Sequence, residues 1–206
     1  ESYTFKDAEM KRITVLGSTG SIGVNTLKVI EANPGLYEVS ALGAGGNVEL
    51  LASQITLFNP QVVAVRDTAA AEALPGFLRS RVAPEILVGT EGYESIASLE
   101  GVDTVVSAMS GAAGLLPTLK AVTAGKTVAL ANKETMVMAG DLVIEEANRR
   151  SVSVLPIDSE HSAVLQCLQG HSRENLRRIV LTASGGPFRS ADIETLTRVT
   201  PALALR

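Results

Sequence analysis

Short apolar runs alternate with longer amphipathic stretches along most of the chain. The runs are rich in valine, which is typical of strands that are covered on both faces of a sheet. They predict strands at 12–16, 38–42, 62–65, 86–88, 104–107, 127–130, 152–155 and 179–181. The amphipathic stretches predict helices at 21–32, 48–58, 69–74, 93–99, 115–124 and 141–149. This alternation predicts an α/β fold with a doubly wound, mostly parallel sheet.

A glycine turn at 17–23 (GSTGSIG) joins the first predicted strand to the first predicted helix. Glycine lets the backbone approach a ligand closely, and the helix behind it directs unpaired N–H groups and its positive dipole end at the same point. An anion, most often a nucleotide phosphate, is stabilised there. The spacing G-x-x-G-x-x-G differs from the commoner G-x-G-x-x-G but fills the same roles, so it favours a Rossmann-like dinucleotide site. The alternative is an ordinary glycine-rich β–α turn.

The loop after the second predicted strand, 43–47 (GAGGN), contains no acidic residue. In NAD-binding domains an acid near this position accepts a hydrogen bond from the ribose 2′-hydroxyl. Because an acid would repel a 2′-phosphate, its absence favours NADP(H). Gly46 offers no cationic side chain to that phosphate, so the expected preference is modest. Asn47 also suits a helix N-cap, which is compatible with the cofactor hypothesis.

The composition narrows the class of partner. The 206 residues are 46% hydrophobic and 19% charged, which indicates a folded core rather than a disordered chain. The net charge of -4 and the lack of a long basic cluster argue against nucleic acid as the main partner. No apolar stretch reaches the roughly 20 residues of a membrane-spanning helix, so no membrane partner is expected.

The single cysteine, Cys167, leaves no internal disulfide framework and suits a reducing compartment. Because its neighbours in sequence are apolar, we expect a buried structural thiol rather than a nucleophile. Residues 1–10 are interpreted as a tail, either a cloning remnant or the end of a removed leader, since the first nine are polar and patternless.

Two polar stretches follow predicted strands further along the chain. In 132–134 (NKE), Asn can hydrogen-bond a ribose or an amide, Lys can hold an anionic substrate and Glu can accept from a hydroxyl. The alternative is that these residues form the start of a helix with an acid in its first turn. In 158–161 (DSEH), Asp158 and Glu160 can converge on one hard divalent cation. The alternative is an N-cap at Asp158 or Ser159 before a helix at 160–169.

A second glycine-rich turn, 182–188 (TASGGPF), follows the strand predicted at 179–181. Ser184 and the glycine amides can cradle another phosphate, and a plain loop is the alternative. Ligands of open α/β sheets bind at the carboxyl ends of the strands. We therefore expect these polar turns to share one rim of the sheet with the first glycine turn.

Five sequence blocks occur in one order and together carry a resemblance to a known family. They are 17–23 (GSTGSIG), 111–119 (GAAGLLPTL), 131–134 (ANKE), 156–161 (PIDSEH) and 184–188 (SGGPF). Each block alone is a weak signal, but the series is highly specific. From about Lys11 to Arg189 the chain resembles the 1-deoxy-D-xylulose 5-phosphate reductoisomerases.

The resemblance implies an enzyme of the methylerythritol phosphate route to isoprenoids. Its ketose phosphate substrate rearranges to an aldehyde, which NADPH reduces to 2-C-methyl-D-erythritol 4-phosphate. A divalent ion, Mg²⁺ or Mn²⁺, chelates the substrate oxygens in this family and acts as a Lewis acid. The resemblance also implies a homodimer in the bacterial cytoplasm, or in the plastid stroma if the residues before Met10 are a processed leader.

The resemblance further implies roles for the residues that match the family's motifs. The cofactor-binding residues would be Thr19, Gly20, Ser21, Ile22, Gly45, Gly46, Asn47, Asn132 and Glu134. Metal ligands would be Asp158 and Glu160, and catalytic roles would fall to Lys133 and Glu160. The substrate-binding residues would be Lys133, Ser159, Glu160 and Ser184.

Residues 11–156 are accordingly expected to form an NADPH-binding Rossmann-like domain, and 157–206 the start of a catalytic, metal-binding α/β domain. The family pattern continues with a Trp-bearing loop and a third metal carboxylate that this sequence does not match, so we expect a truncated chain that is inactive alone. The rival hypotheses are a non-catalytic NADP-binding module and another NADP-dependent dehydrogenase. A semialdehyde dehydrogenase would need a Cys nucleophile near the nicotinamide, and Cys167 is predicted on an apolar helix face instead.

Overall fold

A computed structural model describes residues 9–79, 83–180 and 186–204. Its described residues form a seven-stranded sheet in which every neighbouring pair of strands is parallel. The strands are β1 (Lys11–Leu16), β2 (Tyr37–Ala44), β3 (Val62–Val65), β4 (Glu85–Val88), β5 (Thr104–Ser107), β6 (Thr127–Leu130) and β7 (Val154–Pro156). Their order across the sheet is β4-β3-β2-β1-β5-β6-β7.

Helices connect the strands and continue after the last of them. They are α1 (Ser21–Glu31), α2 (Val48–Phe58), α3 (Thr68–Ala73), α4 (Gly89–Ala97), α5 (Leu115–Thr123), α6 (Lys133–Arg150), α7 (Ser159–Leu168), α8 (Ile193–Leu196) and α9 (Pro201–Ala204). Short 3₁₀ turns lie at Leu74–Phe77, Gly111–Gly114, Arg173–Asn175 and Gly186–Phe188. Among the described residues, no helix is both long enough and apolar enough to cross a bilayer.

Both faces of the sheet are buried, because successive side chains of a strand point to opposite sides. In β1, Val15 packs in the cluster that includes α1, α2 and α3, whereas Leu16 packs in the cluster that includes α4, α5 and α6. Both side chains are fully buried. Strands covered on both sides have no polar face, which is why they appear in the sequence as continuous apolar runs. The predicted doubly wound, parallel α/β fold is confirmed.

The order of the strands reverses at β1. From β1 the chain builds outward through β2, β3 and β4, and it then returns to place β5 on the other side of β1. In a parallel sheet all strands end at the same rim, and the crevice at such a reversal is where open α/β sheets bind ligands. The loops that follow β1, β2, β3, β5, β6 and β7 therefore share one rim.

Two helices start at least four residues earlier than the sequence pattern predicts. α4 begins at Gly89 rather than at 93, and α6 begins at Lys133 rather than at 141. The Asn132 side chain caps α6 by accepting a hydrogen bond from the amide of Thr135 at 2.7 Å. Ala139 has non-helical angles (φ -151°, ψ 32°) that kink α6, so the amphipathic pattern revealed only the part beyond the kink.

The chain divides into two compact units, one ending at Asp158 and the other beginning at Ser159. In the described part of the second unit no residue is buried. Cys167 on α7 is exposed, so the prediction of a buried thiol is wrong. Apolar neighbours in sequence bury a side chain only where another element packs over them. The strand predicted at 179–181 is not formed at 179 and 180, and 181 lies outside the described residues.

Candidate functional site

The turn after β1 is too tight for any residue but glycine at two positions. Gly17 has φ +81°, and a Cβ there would lie 2.5 Å from the carbonyl oxygen of Ala108. A Cβ on Gly23 would lie 2.3 Å from the carbonyl oxygen of Gly17. These clashes with backbone atoms show that the turn brings α1 and the end of β5 into direct contact with its own main chain.

Hydrogen bonds from two other elements fix this turn. The amides of Gly17 and Ser18 both donate to the carbonyl oxygen of Gly43, each at 2.8 Å, at the end of β2. The side-chain amide of Gln54, on α2, donates to the carbonyl oxygen of Ser18 at 2.8 Å. The turn is therefore held in place before any ligand arrives, which lowers the ordering cost of binding.

The N-terminus of α1 presents its amides without a competing side chain. Its N-cap, Gly20, makes no side-chain capping bond within the described part of the chain, and the first turn contains no acid. The predicted phosphate-binding residues lie at this end of α1: Thr19 and Ile22 are half-buried, whereas Gly20 and Ser21 are exposed. Uncapped amides and a positive helix end suit a diphosphate.

A groove of about 260 Å³ extends from the glycine turn across the rim. Its lining comes from the ends of four strands and from α4, and it consists of Gly17, Gly20, Gly43, Ala44, Gly45, Arg66, Tyr93, Ala108, Met109, Ser110 and Ala113. Most of these residues are small or apolar, which suits the flat faces of a nucleoside.

Tyr93 forms a fixed wall of the groove. Its side chain is buried, and its hydroxyl donates to the carbonyl oxygen of Ala44 at 2.7 Å. A Cβ on Gly43 would lie 3.2 Å from the Tyr93 ring, so the small residue lets the ring pack against β2. Burial raises the pKa of Tyr93 to about 12, and the phenol therefore stays a neutral donor at physiological pH.

Arg66, directly after β3, is a charged residue of this site that the sequence reasoning missed. Its guanidinium lies beside the loop after β2, with Nη2 3.3 Å from the position of a Cβ on Gly46. Its Nε donates to Asp67 Oδ2 at 2.9 Å. A cationic side chain does therefore reach the loop that looked uncharged. The signal was an Arg at the end of a predicted strand, but its relevance required the pairing of β2 with β3.

Asn132 ties two loops of the rim together. Its buried side chain donates to the carbonyl oxygens of Met109 and Gly111, while its own oxygen accepts from the amide of Thr135. A Cβ on Gly114 would collide with the Asn132 amide nitrogen. The side chain thus has a structural task, and its contact with a cofactor stays a prediction.

Lys133 and Asp158 meet at the ends of β6 and β7. The ammonium nitrogen of Lys133 lies 3.2 Å from Asp158 Oδ2. The Lys133 side chain is 62% exposed and that of Asp158 is 21% exposed, so the pair is accessible to a ligand. Glu134, in the first turn of α6, is exposed as well. The sequence placed these residues after neighbouring strands, but it did not predict the ion pair.

Ser159 and Glu160 open α7 in the second unit. The Ser159 hydroxyl donates to Glu160 Oε2 at 2.7 Å, and both residues are exposed. Ser184 lies outside the described residues. Across the described ranges, no three His, Cys, Asp or Glu side chains group closely enough to hold a metal ion by themselves. The metal, catalytic and substrate roles of these residues stay predictions.

Two family models match the chain. The model of 1-deoxy-D-xylulose 5-phosphate reductoisomerase matches residues 13–140, and that of the C-terminal domain of the same enzyme matches residues 154–206. The curated reductoisomerase of Chlorobaculum tepidum is 51% identical over 197 residues, which cover 96% of this chain and 51% of the relative. That of Heliobacterium modesticaldum is 52% identical over 198 residues, covering 96% and 50%. The chain spans about half the length of the curated relatives it matches.

Solved structures of the same enzyme share the fold. The reductoisomerase of Zymomonas mobilis in complex with NADPH is 41% identical with a TM-score of 0.81, and the match covers 96% of this chain and 52% of that one. A reductoisomerase in complex with NADPH, fosmidomycin and magnesium is 37% identical with a TM-score of 0.77, covering 96% and 51%. The chain therefore belongs to the 1-deoxy-D-xylulose 5-phosphate reductoisomerase family.

Proposed function

We propose that the protein to which these residues belong converts 1-deoxy-D-xylulose 5-phosphate to 2-C-methyl-D-erythritol 4-phosphate with NADPH and a divalent metal ion. The observation that carries the proposal is the common rim of one parallel sheet. It holds an uncapped glycine turn and apolar groove at β1 and β2, and the Lys133–Asp158 ion pair at β6 and β7. This rim would therefore offer adjacent binding sites for a nucleotide and for a phosphorylated substrate.

The residues around the groove fit NADPH. The N-terminus of α1 would hold the diphosphate through Thr19, Gly20, Ser21 and Ile22. The loop Gly45, Gly46 and Asn47 would surround the 2′-phosphate, and Asn132 and Glu134 would lie towards the nicotinamide. The close backbone packing at Gly17 and Gly23 supports this fit, since it holds the turn against α1 and the end of β5 in one conformation. Solved relatives are in complex with NADPH.

Lys133 and the acids that follow β7 would act on the substrate. Asp158 and Glu160 offer hard oxygen ligands suited to Mg²⁺ or Mn²⁺. When bound, the metal ion supplies Lewis-acid stabilisation of charge on the substrate oxygens, and NADPH supplies the reducing hydride. Lys133 would bind the anionic substrate and orient the Asp158 carboxylate through their ion pair. Ser159, Glu160 and Ser184 would complete the substrate contacts.

The proposal also includes the cellular location, oligomeric state and pathway of the enzyme. The relatives quoted above are bacterial enzymes, which supports a place in the bacterial cytoplasm. We further propose that the enzyme works as a homodimer in non-mevalonate isoprenoid biosynthesis, with a small sugar phosphate rather than nucleic acid as its partner.

The test separates metal-dependent turnover from cofactor binding. The full-length protein to which these residues belong is assayed for NADPH oxidation with the ketose phosphate and Mg²⁺. Three variants of it are assayed alongside: Asp158→Asn, Glu160→Gln and a control, Glu31→Gln. Glu31 is exposed at the far end of α1 from the glycine turn. We expect the first two variants to lose turnover by at least about a hundredfold, as for removal of a charge-stabilising group, and to keep their NADPH affinity. The control should match wild type.

Unchanged turnover in either acidic variant would contradict the metal assignment. NADPH binding with no metal-dependent turnover in the full-length wild-type protein would instead favour a non-catalytic nucleotide-binding module.

A further inference from the structure

We propose that Arg66 recognises the 2′-phosphate of NADPH and sets the preference of this protein for NADPH over NADH. The inference rests on the proposed function, because it concerns the same nucleotide groove. It predicts a stronger preference than the modest one expected from the lack of a cation at Gly46.

The first support is the position of the guanidinium. In dinucleotide-binding α/β domains, the loop after β2 faces the adenosine ribose, and a nearby Arg accommodates a 2′-phosphate. Beside Gly46, in this loop, Nη2 and Nη1 of Arg66 lie 3.3 and 3.6 Å from the position of a Cβ. A larger side chain at 46 would press on the guanidinium. The glycine that leaves the loop uncharged therefore also makes room for the cation of the next strand.

The second support is the orientation of the side chain. Asp67 Oδ2 accepts from Nε of Arg66, while Asp67 Oδ1 accepts from the amide of Ala70. Both bonds hold the pKa of Asp67 below its usual value, the Ala70 amide contributing more than Arg66. Within the described residues, the structure gives Nη1 and Nη2 no protein acceptor. The Nη1 and Nη2 edge of the guanidinium is therefore available for a phosphate, which Arg binds through two parallel hydrogen bonds.

The third support is the charge of the groove. Of the residues that line it, Arg66 is the charged one. NADH has a neutral hydroxyl where NADPH has a phosphate, so a single cation at this place discriminates between them. The alternative is that Arg66 only braces Asp67, which caps α3. If Arg66 had only that structural role, its loss would lower the stability of the protein and change the affinities for NADPH and NADH by the same factor.

The experiment measures dissociation constants for NADPH and NADH by fluorescence titration. Arg66→Ala is compared with wild type, with Arg66→Lys and with Arg198→Ala, a control that removes another exposed Arg paired with an acid. We expect Arg66→Ala to weaken NADPH binding about ten- to a hundredfold, as for a lost charged hydrogen bond, and NADH binding by less than about twofold. Arg66→Lys should lose an intermediate amount of NADPH affinity, since lysine keeps the charge but lacks the planar guanidinium. For the wild type, the ratio of the NADH to the NADPH dissociation constant should also fall as salt is raised.

Thermal unfolding of each variant is recorded in parallel. Equal losses for NADPH and NADH, or an unchanged ratio in Arg66→Ala, would overturn the inference while leaving the proposed function intact. If wild-type protein binds neither nucleotide, the proposed function itself fails, and this inference fails with it.

Discussion

The side-chain amide of Gln54 donates to the carbonyl oxygen of Ser18 at 2.8 Å, although 36 positions separate the two residues. Ser18 belongs to the turn that would hold the cofactor diphosphate, and Gln54 lies on α2, which begins at the loop proposed for the 2′-phosphate. One buried hydrogen bond thus links the two parts of the groove that we propose to bind phosphate groups. A shift of either part alone would stretch or break this bond.

Gln54→Leu should weaken both folding and cofactor binding. The substitution keeps the size of the side chain but leaves the buried Ser18 carbonyl without its donor, which costs about 1–3 kcal/mol. Urea denaturation measures the loss, and NADPH titration should show weaker binding. Gln61→Leu, at an exposed position, is the control. Equal stability of the two variants would show that the bond is not important.

Gly23→Ala should destabilise the protein by about 1–3 kcal/mol, as overpacked positions do, and weaken NADPH binding. The new methyl group would meet the carbonyl oxygen of Gly17 at 2.3 Å, and relief requires α1 to move away from the turn. At Gly45 a Cβ would have no neighbour within 4 Å, so Gly45→Ala should change the free energy of unfolding by less than about 0.5 kcal/mol. Equal free energies of unfolding for the two variants would contradict the close packing of the turn.

Asn132→Asp should destabilise the protein even though it preserves the cap of α6. An oxygen would replace the amide nitrogen that now donates to Met109 and Gly111, so a carboxylate would face two carbonyl oxygens. We expect a cost of about 1–3 kcal/mol or more, because the buried group is charged and unpaired. Asn33→Asp, where the amide donates to the carbonyl of Val29, is the matched control and should cost less. Chemical denaturation distinguishes the two.

Tyr93→Phe should reveal a pH-dependent part of the stability. Burial raises the pKa of Tyr93 to about 12 from its ordinary value near 10, so folding favours the neutral phenol. Its contribution is therefore complete below about pH 10 and is lost as the pH rises from about 10 towards 12. Wild type should exceed Tyr93→Phe in unfolding free energy by a constant amount at pH 7 to 9, because Ala44 loses its donor, and by a shrinking amount above pH 10. A constant difference up to pH 12 would contradict this account.

The sheet could be predicted from the sequence because its strands are covered on both faces. Runs such as 62–65 and 104–107 coincide with β3 and β5 at both ends. The start of α6 could not be predicted in this way, since the kink at Ala139 breaks its period. The exposure of Cys167 could not be predicted either, because it depends on what packs over α7 rather than on the residues around it in sequence.

The candidate site was accessible to sequence reasoning only where a motif is local. The glycine turn is local, and its predicted strand–turn–helix setting is present between β1 and α1. Arg66 reaches Gly46 across the pairing of β2 with β3, which no spacing along the chain reveals. Asn132 seemed a cofactor contact by motif, yet its bonds with Met109 and Gly111 appear only once β5 and β6 are adjacent.

The central position of β1 has a consequence for biosynthesis. Its residues pair with 37–43 on one side and with 104–107 on the other, and the groove also takes its lining from residues as late as Ala113. A nascent chain leaving the ribosome therefore cannot close the pocket until translation has passed that point. Before residues 104–107 have been made, intermediates expose an unpaired edge of β1. A chaperone would therefore prevent aggregation most effectively during that interval of synthesis.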